Sequence, residues 1–206
     1  MEIIYFIMAI SLNNSLFIHF PKTGGKWITN MLMNYVDGAK PVGDPIYDAH
    51  KSPPFDGKVF FFVREPESWV HSLWHHRARK KNNKFGHKFN WQENHRLERD
   101  CKSEDYDQFV SNVIANPNCL YDYYQDFIGC YNEDQLMWGR YESMCQDLIT
   151  ILYANGEKFD EQAIRQNENT IINPTNRISN KPNQHFSNRR SLLHKSEASF
   201  INRYYK

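Results

Sequence analysis

Lys22 sits where a chain of this pattern would hold an anion. It lies in the stretch Phe17-Ile18-His19-Phe20-Pro21-Lys22-Thr23-Gly24-Gly25-Lys26-Trp27. Glycines let backbone N–H groups approach a ligand closely, a helix N-terminus adds partial positive charge, and a lysine adds a full one. A second pair, Arg64 and Ser72, stands eight residues apart. A guanidinium beside a hydroxyl makes a clamp for a phosphate, with the arginine offering paired donors. Each group also has a plainer use. Pro21 with Gly24-Gly25 serves as a tight turn, Arg64 pairs with a carboxylate, and Ser72 faces solvent.

The elements that must position these residues can be read from the apolar pattern. Leu16 to Phe20 is an apolar run that predicts a buried strand, broken at Pro21. Trp27, Ile28, Met31, Leu32 and Tyr35 have the spacing of an amphipathic helix. Lys58 to Val63, KVFFFV, reads as a strand buried on both faces, as in a parallel sheet. Pro66 then suits a first helical position and Glu67 the first turn, ahead of the stripe Trp69, Val70, Leu73, Trp74.

The spacing predicts further helices from Asp105 to about Asn116, over Leu120–Ile128, Glu142–Tyr153, Phe159–Gln166 and Ser191–Tyr205. Gln135–Tyr141 reads as a short strand, Ile46–His50 as an extended segment, and Ile3–Ile10 as an N-terminal strand or leader. Asp37 to Pro45 is turn-rich, and Asn167 to Arg190 reads as a long loop with Arg177, Lys181, Arg189 and Arg190. Strands alternating with helices predict an α/β fold of three layers, α/β/α, around a central mainly parallel sheet. Ligands of such sheets bind at the carboxyl ends of the strands, where Lys22 and Arg64 both fall.

Composition narrows the classes. The 206 residues suit one domain with a core at 16–155 and a C-terminal loop and helix at 156–206. An apolar fraction of 40% is globular rather than disordered, and a net charge of +1 argues against a general nucleic-acid binder. The apolar run at Ile3–Ile10 is too short to span a bilayer and has no basic flank for a signal peptide, so a cytoplasmic protein is expected. Cys101, Cys119, Cys130 and Cys145 form no C-x-x-C pair, so no zinc site is expected and the thiols are expected to be reduced. From His71 to Lys88 the chain carries Arg77, Arg79, Lys80, Lys81, Lys84 and Lys88 without an acid. That run is either a solvated helix end or a rim for an anionic substrate.

The loop is not an ATP-type phosphate loop. With Gly25-Lys26 as the GK of G-x-x-x-x-G-K-[ST], the first glycine falls on Phe20 and the metal-binding hydroxyl on Trp27. The chain resembles instead the sulfotransferases that use 3′-phosphoadenosine 5′-phosphosulfate (PAPS), with a P-loop NTPase-like sulfotransferase fold. Pro21-Lys22-Thr23-Gly24-Gly25 with Trp27 looks like that family's 5′-phosphosulfate loop. Arg64-Glu65-Pro66 through Ser72 looks like its 3′-phosphate motif, and Arg140-Tyr141-Glu142 like its strand-to-helix Tyr-Glu element. His50 holds the place of its catalytic histidine. The resemblance covers residues 16 to about 155.

By position, the resemblance implies that Lys22 contacts the bridging oxygen between phosphate and sulfonate. Thr23 and the loop amides would bind the 5′ side, and Arg64 with Ser72 the 3′-phosphate. Trp27 would stack on adenine with Tyr141 nearby, although a core role for Trp27 competes. His50 would take the acceptor proton, and no metal is required. His19, His71, His75, His76, Glu65 and Asp48 are the other bases within reach of this reading. Lys26 departs from the family, which has a small hydroxyl residue there, and no Arg-Lys-Gly element follows near the C-terminus. The implied acceptor is a hydroxyl or amine: the basic run suits an anionic glycan, the aromatic residues would equally line a pocket for a small phenol, and carbohydrate is favoured of the two. Binding held by charge must then weaken with salt. A kinase-like phosphotransferase and a non-catalytic nucleotide- or polyanion-binding module are the rival classes.

Overall fold

The computed structural model describes residues 9–42, 53–77, 91–170 and 186–206. His50, Asp48, the segment Ile46–His50, most of Ile3–Ile10, the basic residues Arg79 to Lys88, Arg177 and Lys181 lie outside the described residues. In chain order the strands are β1 (Ala9–Ser11), β2 (Ser15–Ile18), β3 (Lys40–Val42), β4 (Lys58–Val63) and β5 (Leu136–Arg140). The helices are α1 (Gly25–Tyr35), α2 (Pro66–Arg77), α3 (Arg96–Cys101), α4 (Tyr106–Ala115), α5 (Cys119–Ile128), α6 (Met144–Ala154), α7 (Glu161–Gln166), α8 (Phe186–Ser196) and α9 (Ala198–Tyr204). They fall into two compact units, Met1–Arg64 with Phe127–Asn176, and Glu65–Asp126 with Arg177–Lys206.

The first unit is α/β. Its sheet has the order β3-β1-β2-β4-β5. β2, β4 and β5 are parallel neighbours, while β1 runs antiparallel to both β2 and β3. Four of the five strands therefore point the same way. The KVFFFV strand is buried as its composition predicts, with Val59 through Val63 at 0% exposure. Phe60 and Phe62 join Phe17 and Ile10 in a core closed by Ile28, Met31 and Leu32 of α1, Leu148 and Leu152 of α6, and Ile164 of α7. Leu16, Ile18 and Phe61, on the alternate positions, are buried too.

Local chemistry sets the ends of these elements. α6 stops in a Schellman turn: Gly156 has φ 65°, its N–H bonds the Tyr153 carbonyl, and the Glu157 N–H bonds the Leu152 carbonyl. The Glu157 carboxylate then accepts from the Asn14 N–H at 3.0 Å and the Ser15 hydroxyl at 2.7 Å, tying the β1–β2 hairpin to the end of α6. Asp160 caps α7 through the Ala163 N–H at 2.9 Å.

The second unit is helical. Glu65 precedes Pro66 and accepts from the Ser68 N–H at 2.9 Å, capping α2, and Asp105 caps α4 through the Gln108 N–H at 2.7 Å. Trp69, Tyr123, Tyr124, Phe109, Phe200 and Tyr204 fill its core. Arg77 and Glu98 form an ion pair with side-chain exposures of 6% and 0%. Gln92 bridges it, accepting from Arg77 at 2.9 Å and donating its N–H to Glu98 at 2.7 Å. Arg77 thus belongs to the interior and not to a basic rim, because its acid arrives from α3.

Three sequence expectations need correction. The turn-rich run after α1 contains β3, an edge strand completing the sheet on β1. The helix expected over Ser191–Tyr205 is two, since the Ser196 carbonyl accepts from the Asn118 N–H at 2.9 Å. Glu197, between them, turns its carboxylate onto the Leu120 and Tyr121 N–H groups at the start of α5. Burial pushes that carboxyl upward, and the backbone donors oppose the shift. Finally, Arg189 and Arg190 stand on α8 rather than in a loop. All four cysteines are free thiols, with Cys101, Cys119 and Cys145 buried and Cys130 exposed. No helix among the described residues is long and apolar enough to cross a membrane.

Candidate phosphate-binding site

Parallel pairing of β2, β4 and β5 brings their carboxyl ends to one edge of the sheet. Each end delivers one part of the site: the Lys22 loop after β2, Arg64 after β4, and Tyr141 after β5.

The loop is held in an unusual backbone. Lys22 has φ 69° and Gly24 φ 80°, so two of its residues are left-handed, one of them with a side chain. Such a conformation costs an ordinary residue roughly 1–2 kcal/mol, and residues held this way concentrate at functional sites. Among the described residues two hydrogen bonds brace it. The buried Thr23 hydroxyl donates to the Phe20 carbonyl at 3.0 Å. Arg64 Nη1 donates to the Lys22 carbonyl at 3.2 Å. The Arg64 guanidinium also lies 4.2 Å from the centre of the Tyr141 ring, a cation–π distance.

Helix α1 opens from this loop. Gly24 precedes it without a side-chain cap, and no acid stands in its first turn. The first N–H groups of any α-helix lack an intrahelical acceptor, and with the dipole they favour an anion. The two glycines are fixed by what lies against them. A Cβ on Gly24 would meet Met144 Sδ at 2.4 Å and Tyr141 Cδ2 at 3.1 Å. A Cβ on Gly25 would stand 1.9 Å from His19 Cδ2. Gly25→Ala is therefore expected to push the His19 ring aside and cost about 1–3 kcal/mol in urea unfolding, the usual scale of overpacking. His19→Ala in the same chain should recover part of that loss, and additive losses would sink the account.

The sequence-predicted residues are distributed as follows. Pro21, Lys22, Thr23, Gly24, Gly25, Lys26, Arg64 and Tyr141 come together, Lys26 being exposed on the first turn of α1. Trp27 is a core residue at 5% exposure, and its indole N–H donates to the Asn167 carbonyl at 2.9 Å. Tyr141, at 37%, has the more open ring. Ser72 is on α2, in the second unit, and is half-buried. Glu65 caps α2 and pairs with His194 at 2.8 Å, a structural use for this carboxylate. Arg190 reaches Glu65 at 3.5 Å and Glu67 at 3.8 Å, and Arg189 pairs with Asp107. His71 and His75 pair with one another.

Sequence reasoning missed two things: the left-handed backbone at 24, φ 80°, which favours glycine there, and the His19 contact that crowds position 25. The second was within reach: His19 is two residues from Phe17, hence on the face that α1 covers, and the two rings stack 6.3 Å apart. The chain matches no family model, no curated protein and no solved structure.

Proposed function

We propose that this chain is a PAPS-dependent sulfotransferase of the three-layer, P-loop-like fold. The observation that carries the reading is the brace between Arg64 and the Lys22 loop: the guanidinium donates to the Lys22 main-chain carbonyl, at the carboxyl ends of adjacent parallel strands. A nucleotide phosphorylated at both its 5′ and 3′ positions needs such a two-centred grip, with Lys22 at the 5′ phosphosulfate and Arg64 at the 3′-phosphate. The magnesium-ATP reading is disfavoured because position 27, where the metal-binding hydroxyl would stand, is a buried tryptophan.

In this reading the α1 N-terminus and the loop N–H groups take the 5′-phosphate, and Lys26 stands by with a second positive charge. Tyr141 replaces Trp27 as the aromatic nearest the base. Ser72 enters through the sequence resemblance. The acceptor is a hydroxyl or an amine, with a carbohydrate favoured. Its oxygen or nitrogen bonds to sulfur as the bridging sulfur–oxygen bond breaks, His50 takes the acceptor proton, and Lys22 offsets the charge on the departing 3′,5′-adenosine bisphosphate. No metal takes part.

Thermal shifts test the ligand. The bisphosphate is expected to raise Tm well above the shift given by AMP or magnesium-ATP, because only a ligand bound by the folded state stabilises it. A larger shift with magnesium-ATP would favour phosphotransfer, and tight bisphosphate binding without sulfonate transfer a binding module. For the base, His50→Ala is expected to lower turnover by about 10²-fold with bisphosphate affinity unchanged. Turnover near normal would remove His50 from the mechanism.

A further inference from the structure

Two imidazoles on α2 face one another. His71 and His75 are one helical turn apart, and their Nε2 atoms lie 3.0 Å from each other, with ring centres at 4.4 Å. Residues four apart share a helix face, so the spacing itself brings the side chains together. Neighbouring rings hold them in place. Tyr106 of α4 stands edge-on to His71 with centres 5.5 Å apart, Trp74 is 5.2 Å from His75, and Trp74 and Tyr106 are 5.4 Å apart.

We propose that His71 and His75 chelate a divalent transition-metal ion, copper(II) before others, through their two Nε2 atoms. As neutral rings, these nitrogens can share one proton. With each neutral ring carrying its proton on Nδ1, both Nε2 atoms offer a lone pair, and at 3.0 Å apart one ion can bridge them. The bite is compatible with copper(II). With metal–nitrogen bonds of about 2.0–2.1 Å, a separation of 3.0 Å corresponds to a nitrogen–metal–nitrogen angle near 94°. Tetrahedral coordination by the same bonds would need about 3.3 Å. An angle close to a right angle is that of tetragonal copper(II) or nickel(II), and the Irving–Williams order places copper(II) first.

Among the described residues no group of three or more His, Cys, Asp or Glu side chains is placed to hold a metal ion. The two imidazoles are the ligands offered among the described residues. The ion bridges one turn of α2 and takes no part in sulfonate transfer.

Copper(II) sulfate is added below one equivalent to the full-length chain, and the histidine side-chain NMR signals are followed. His71 and His75 are expected to broaden first, and tryptophan fluorescence, to which Trp74 beside His75 contributes, to fall in part with the same midpoint. Another imidazole broadening first would overturn the proposal, and this measurement needs no variant. H71N and H75N, checked for folding by circular dichroism, are each expected to weaken copper(II) binding at least about tenfold. Zinc sulfate is expected to bind the natural chain less tightly than copper(II). An H71N/H75N chain that quenches at the same copper(II) concentration as the natural one would also overturn it.

Discussion

Lys22→Ala is expected to lower kcat/KM for sulfonate transfer by about 10²–10³-fold, the scale of losing one preorganised donor to a developing anion. Binding of 3′,5′-adenosine bisphosphate should weaken with it, since the proposed function has the amine contact the phosphate before and after transfer. The left-handed backbone at Lys22 adds a second, separable expectation. Alanine keeps the strain of φ 69°, whereas glycine adopts that conformation without it. Lys22→Gly should therefore lose the same activity yet melt at or above the natural chain, while Lys22→Ala melts at or below it. Relief of roughly 1–2 kcal/mol is offset in part by the greater freedom of an unfolded glycine. A Lys22→Gly enzyme that still turns over would show the amine to be dispensable. One that melts below Lys22→Ala would show that the backbone at this position is unstrained.

Glu98→Ala is expected to destabilise the protein by about 3–5 kcal/mol, because it leaves the Arg77 guanidinium buried without its counter-charge. Against a total stability of roughly 5–15 kcal/mol, that loss brings the chain close to unfolding. Gln92 would remain as a neutral acceptor for Arg77 Nη2, and Arg77 Nε already finds no acceptor among the described residues. For that reason the double replacement Arg77→Met with Glu98→Leu should be far milder than Glu98→Ala alone. Urea unfolding measures both. A Glu98→Ala loss below about 1 kcal/mol would mean that water reaches the guanidinium in solution.

The strands that carry the site were legible because burial on both faces leaves a continuous apolar signature. Val59–Val63 needs no partner to be recognised, and a run that ends in Arg64 places its arginine at the strand's carboxyl end. β3 was hidden for the opposite reason. Lys40-Pro41-Val42 is an edge strand whose first two residues are exposed, so nothing in its side chains advertises pairing. α3 was missed because Arg96, Glu98, Arg99 and Asp100 are charged, and its buried acid reads as a surface residue until Arg77 is seen against it. The loop could be found from its residue types, but the left-handed turn at Lys22 could not. That conformation is imposed by Arg64 and Thr23 bonding to carbonyls, and no local preference of lysine foretells it.

The two units are interleaved along the chain, and this sets the order in which the protein can assemble as it leaves the ribosome. β4 is made before residues 65–126, and its partner β5 only after them. α5 emerges long before Glu197, whose carboxylate lies 77 residues downstream of the Leu120 N–H that it accepts from. Neither unit can close on the first half of the nascent chain, so both hydrophobic cores wait for distant segments, and non-local closure of this kind folds slowly. A stop codon ahead of Glu197 would leave the start of α5 uncapped, even with every strand of the sheet already made.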